Sequence, residues 1–201
     1  DRSVSRGLGD VYKRQDWHWD DTEKLYRKTN NVEGKLTEEQ QEEIWLLASN
    51  HIGLFLRWLI DRGFNELIDE SDEKYCVQVR EGKMSGAEYI MYILDGVLCD
   101  DVIKPDVYDF VEKYYDEQYF KDYGETCPVK DLSVPCYGFI SGDDDYNALK
   151  PRIDKAYEKY FVDQLPYTDD ELVAMSKESL KELKATAASV SIADAESRVG
   201  K

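Results

Sequence analysis

Two histidines, His18 and His51, are all the imidazole this chain offers for binding a metal or moving a proton near neutral pH. His51 falls one helical turn after Leu47 and one before Phe55, a spacing that turns it toward the core, with a ligand or general-base role as the alternative. His18 stands between Trp17 and Trp19. A small enzyme would have to work in a cleft drawn from Trp17, His18, His51, Phe55 and Trp58. As packing residues the same five would fill the interior, and no local signature of nucleophile and base argues otherwise.

The other chemistries find less support. Cys76, Cys99, Cys127 and Cys136 sit singly, without the paired spacing of a zinc or redox site, which reads as a set of reduced thiols. Asp143, Asp145 and Asn147 begin like a calcium loop, but Ala148 stands where the sharp turn needs glycine and Asp154 where a bidentate glutamate belongs. An acidic helix start explains them without an ion. No glycine pattern cradles a phosphate. The expectation is therefore no metal, no cofactor and no assigned catalytic residue.

What the chain does have is acid. With 26 Lys and Arg against 43 Asp and Glu the formal charge is -17, which repels nucleic acid and anionic membrane alike and favours a protein partner with a basic surface. Nine acids and three bases fall between Asp100 and Glu125, interleaved with several of the 15 tyrosines. Asp106, Asp109, Glu112, Asp116 and Glu117 are the candidate steering charges of an interface, and Tyr115 and Tyr119 its candidate anchors, because tyrosine offers rigid contact area at low entropy cost. Mean hydropathy of -0.64 and the lack of any apolar run near the roughly 20 residues of a membrane span predict a soluble chain; with no basic-then-apolar leader, the expected location is cytoplasmic.

The elements that must hold these residues are helices. Thr37 and Gln40 form a capping box, an apolar stripe continues through Ile44, Leu47, Ala48, His51, Phe55, Trp58 and Leu59, and Gly63 ends the run. Shorter helices are expected over residues 71–81 and 85–94, the latter opened by Ser85 and Glu88. Another begins at Pro105 and carries Val107, Phe110, Val111, Tyr114 and Tyr115. A helix over 145–161 has Pro151 at its start or as a kink, and Thr168 opens a last one with Leu172, Met175, Leu180 and Leu183. Val134 to Ile140, punctuated by proline and glycine, is the one expected strand. The fold class is thus mainly α, a single-domain bundle of about five to six helices with one short β element near 133–140.

Residues 1–15 have no period of either kind and resemble translated sequencing-adapter read-through, so they are expected to lie outside the fold and to be disordered. The globular domain is expected over 16–163, and a C-terminal helix with a frayed tail over 164–201.

Trp17-His18-Trp19, the run Asn50-His51-Ile52-Gly53-Leu54-Phe55-Leu56-Arg57-Trp58-Leu59, then Gly96 to Val102 and Tyr114 to Tyr123 resemble successive blocks of an uncharacterised bacterial domain-of-unknown-function family with an N-x-I-G-x-F-L-x-W helix. The likeness covers about 16–161, with the segment 30–41 and the tail after Val162 as extras. Its small acidic members look like the antidotes encoded beside bacterial toxins. The resemblance implies an immunity-type inhibitor of a basic toxin; the alternatives are the small enzyme around His51 and a scaffold that only oligomerises.

Overall fold

Helix α2 (Glu38–Arg62) sits where the rest of the molecule can wrap it: from Ala48 to Ile60 every residue except Arg57 is buried. A helix apolar on one stripe packs on one neighbour, whereas one buried all round must be enclosed. Asn50, Ile52, Leu54, Leu56 and Ile60, off the expected stripe, lie inside as well. In this computed structural model the described residues are 18–127, 140–164, 181, 182 and 185, together with the backbone of 11–14.

The ends of α2 obey local chemistry. Thr37 Oγ1 accepts from the Gln40 amide at 3.2 Å while Gln40 Oε1 accepts from the Thr37 amide at 3.0 Å. Gly63, at φ 68°, takes the left-handed conformation, and the Phe64 amide closes on the Leu59 carbonyl at 2.8 Å.

Before α2, α1 (Trp19–Asn30) lays Trp19 on Trp45, with ring centroids 4.2 Å apart, and Tyr26 donates to Glu43. After it, a short 3-10 turn capped by Asp69 leads into α3 (Glu73–Arg80), and the capping box of Ser85 and Glu88 opens α4 (Gly86–Tyr92). The start of α4 rests backbone on backbone against α2. A Cβ on Gly53 would lie 2.2 Å from the Ala87 amide nitrogen, and one on Gly86 1.9 Å from the Gly53 carbonyl oxygen. Gly53 costs α2 about 1 kcal/mol of helix propensity, and this contact is what requires it.

Two short strands correct the expected boundary at residue 16. β1 (Val11–Arg14) pairs antiparallel with β2 (Val97–Cys99), with Val11 opposite Cys99 and Arg14 opposite Val97. Backbone pairing needs no hydrophobic period in so short a segment, which is why the sequence pattern did not reveal it. The strand expected at 133–140 falls outside the described residues except for Ile140.

The helix expected from Pro105 begins as a 3-10 turn, becomes α5 (Tyr108–Tyr114), widens into a π-helical turn (Tyr115–Tyr119) and resumes as α6 (Phe120–Thr126). The last full helix among the described residues is α7 (Asp143–Val162), two residues longer at its start than expected and continuous through Pro151. A ladder of polar contacts docks α7 and the residues before it on α2. Asn50 bonds Ser141 twice, at 2.8 and 2.9 Å, Arg57 meets Asp143 at 2.7 Å, and Tyr146 donates to Asp61 at 2.6 Å. Trp58 Nε1 donates to Asp154 at 2.8 Å, where Arg62 adds a second contact at 2.9 Å. Phe55, Trp58, Phe110 and Tyr157 meet in the aromatic centre beneath. The expected C-terminal helix at 168–183 lies outside the described residues, apart from Lys181 and Glu182, which are helical, as is Ala185. Among the described residues no helix is long and apolar enough to cross a membrane.

Candidate functional site

The acids of α5 and the π turn are displayed as the sequence suggests: Asp109, Glu112, Asp116 and Glu117 are exposed and Asp106 is half-buried. Their companion tyrosines are not. Tyr115 is 1% and Tyr119 0% exposed, so neither can anchor a partner, and that expectation is corrected. The π turn adds a residue to the helical repeat and shifts the register of α6 relative to α5. Tyr119 ends up over α2, where its hydroxyl donates to the His51 carbonyl at 2.5 Å, and Tyr115 stacks on it at 4.7 Å. Burial drives the Tyr119 phenol far above its ordinary range.

The two histidines do meet. Their rings lie edge to face, 4.6 Å between centroids, and His51 also faces Phe120 at 5.2 Å. His51, Phe55 and Trp58 are all fully buried and His18 is half-buried, while Trp17 lies outside the described residues. The neighbours of His51 are thus rings that pack on it rather than the walls of an open cleft.

Asp143 is bound by Arg57, and Asp145 accepts from the Gly142 amide at 3.0 Å, so both serve the start of α7. Cys99, Asp100 and Asp101 have ligand atoms within 4.8 Å of one another. They are consecutive residues with one thiol buried, a sparse donor set for a cation. The described cysteines, Cys76, Cys99 and Cys127, are buried. Burial raises the Cys76 thiol and pushes Cys127 up to about 11, the opposite of what a nucleophile needs.

A groove of about 650 Å³ runs between the α5–α6 helical run and α7. Its apolar floor comes from Phe110, Tyr114, Ala156 and Tyr160, its cations are Lys113, Arg152, Lys155 and Lys159, and its carboxylates are Glu117, Asp122 and Asp163. Asp122, 7% exposed, organises one end. It accepts from Tyr114 at 2.8 Å, from Gln118 at 3.1 Å and from Arg152 at 3.3 Å, and Arg152 also reaches Glu125 at 2.5 Å. Burial first, and then the bond to Asp122, raises the Tyr114 phenol, so it stays a donor. Sequence reading passed over Asp122, Arg152, Lys155 and Lys159. The signal was there in two stripes at three- and four-residue spacing, but only their apposition makes a groove.

Residues 11–136 match a family described as a domain of unknown function, DUF7832. The chain belongs to DUF7832. No curated protein and no solved structure matches it. The DUF7832 match takes in β1, the central helix and the whole α5–α6 run with its π turn, and it stops short of α7, which supplies the other wall of the groove.

Proposed function

We propose that this chain is a cytoplasmic protein-binding module of bacterial origin, an immunity-type inhibitor that covers the basic surface of a toxin. The single observation that carries the reading is the partition along α5 and the π turn, where Asp109, Glu112, Asp116 and Glu117 face water while the tyrosines between them face inward. Exposed carboxylates on a chain of charge -17 raise the encounter rate with a cation-rich patch and contribute less to holding it. With Tyr115 and Tyr119 inside, the contact lacks those aromatic anchors, so its affinity depends steeply on salt.

Capture from an extract of the source cell, at low salt and at about 0.5 M where the screening length falls to roughly 4 Å, tests the idea. The wild-type chain should retain a basic partner only at low salt, and Asp109→Lys with Glu112→Lys and Asp116→Lys should lose it. Equal capture by both proteins, or at both salts, would remove the acidic face from the interaction.

The second reading is a small enzyme working around His51, for which the structure offers only the proximity of the two imidazoles, 4.6 Å between centroids. There His51→Ala would abolish turnover without unfolding the protein, whereas a purely packing role predicts a lower melting temperature and no turnover to lose.

A further inference from the structure

Tyr92, the last residue of α4, is the most exposed large apolar side chain among the described residues, at 51%. Its hydroxyl donates to Glu42 on α2, which fixes the ring on the surface. One residue along, Glu43 takes the hydroxyl of Tyr26 from α1. Two neighbouring carboxylates of α2 are therefore each held by a tyrosine from a different helix. Each keeps acceptor capacity, because a carboxylate has about four lone-pair positions. Residues 38–43 carry four carboxylates and no base, and Arg27, next to Tyr26 in the chain, is engaged by Glu23 at 2.7 Å.

Elsewhere in the fold the same pairing carries a cation. The hydroxyl of Tyr146 donates to Asp61 at 2.6 Å, and the guanidinium of Arg57 lies over the Tyr146 ring, 4.2 Å from its centroid. Arg62 covers Tyr157 in the same way, at 5.6 Å. A guanidinium suits such a place because it lies flat on a π face and still points N–H donors sideways at a carboxylate. Among the described residues no cation covers the ring of Tyr92. The bond to Glu42 foremost, then burial and the charges of Glu42 and Glu88, pushes the Tyr92 phenol up to about 12, so the hydroxyl stays a donor at neutral pH.

We propose that Tyr92 and Glu42, with Tyr26 and Glu43 beside them, seat arginine side chains presented by the surface of a protein partner. One guanidinium lies over the Tyr92 ring and donates to Glu42, and a second donates to Glu43. The seat supplies the aromatic contact that the buried Tyr115 and Tyr119 cannot. It rests on the protein-binding reading and names the chemistry of the partner, but it uses none of the α5 acids.

Blocked tetra-arginine and tetra-lysine peptides, equal in charge, are titrated into the isotopically labelled full chain at low salt. Tetra-arginine should move the amide resonances of Glu42 and Glu43 and the ring protons of Tyr26 and Tyr92, and should bind about threefold or more tighter than tetra-lysine. Tyr92→Leu should erase that preference and Tyr92→Phe should keep it. Glu42→Gln with Glu43→Gln should weaken tetra-arginine about fivefold. Equal affinity for the two peptides, shifts spread evenly over the acids of the chain, or a preference that survives Tyr92→Leu overturns the proposal. The protein with Asp109→Lys, Glu112→Lys and Asp116→Lys separates the two ideas. It should still prefer tetra-arginine and shift at Tyr92, and loss of both would assign the peptide to the α5 acids and overturn the seat. Capture of the extract partner unchanged by those three substitutions would remove the acidic face alone.

Discussion

The hydroxyl of Tyr119 donates to the main-chain carbonyl of His51, 2.5 Å away, and so ties the π turn to the middle of the most buried helix in the fold. The contact explains why a tyrosine occupies a position with no exposure, and why its ring contributes to stability rather than to recognition. Tyr119→Phe keeps the ring and removes the donor, and is expected to cost about 1 to 2 kcal/mol. Urea unfolding measures it; a loss under about 0.5 kcal/mol would mean that the bond is not what holds the turn.

Glycine substitutions should have opposite signs at two helical positions. Gly53→Ala places a methyl group against the backbone of α4 and should destabilise by several kcal/mol, overriding the gain of about 1 kcal/mol in helix propensity. Gly124→Ala in α6 meets nothing within 4 Å and should stabilise by about 0.5 to 1 kcal/mol. Thermal unfolding of the two variants beside the parent decides the matter.

Asp122 and Arg152 are bonded to each other but are not equivalent. Asp122→Ala strands the buried hydroxyl of Tyr114 and should cost about 2 to 3 kcal/mol. Arg152→Ala removes a side chain 40% exposed and should cost less than Asp122→Ala. Equal losses in denaturant titrations would refute this ordering.

Alkali should unfold the chain cooperatively. Burial raises the phenols of Tyr89, Tyr114, Tyr119 and Tyr146 and pushes Tyr157 up to about 12, against an ordinary value of 10.0. Above that ordinary value the unfolded chain has lost protons that the fold still holds, so the stability these phenols contribute is complete below pH 10 and declines as pH rises toward their folded values. Phenolate absorbance recorded together with circular dichroism should show these tyrosines ionising only as the helices melt; early, gradual ionisation without unfolding would contradict their burial.

The sequence by itself determined what depends on neighbours in the chain. Thr37 with Gln40, Ser85 with Glu88, and Gly63 mark helix ends because a cap is satisfied within a few residues of itself, and the stripe from Ile44 to Leu59 marks the core helix because 3.6-residue spacing is local geometry. The acids at Asp109, Glu112 and Asp116 were legible as surface because taking a charge out of water is costly. Tertiary structure alone decided that Tyr115 and Tyr119 turn inward, that β1 pairs with β2, and that Lys155 and Tyr160 face Tyr114 across a groove. Each of those outcomes depends on a partner far away in sequence, and an amphipathic side chain such as tyrosine goes to whichever side of its helix the rest of the fold covers.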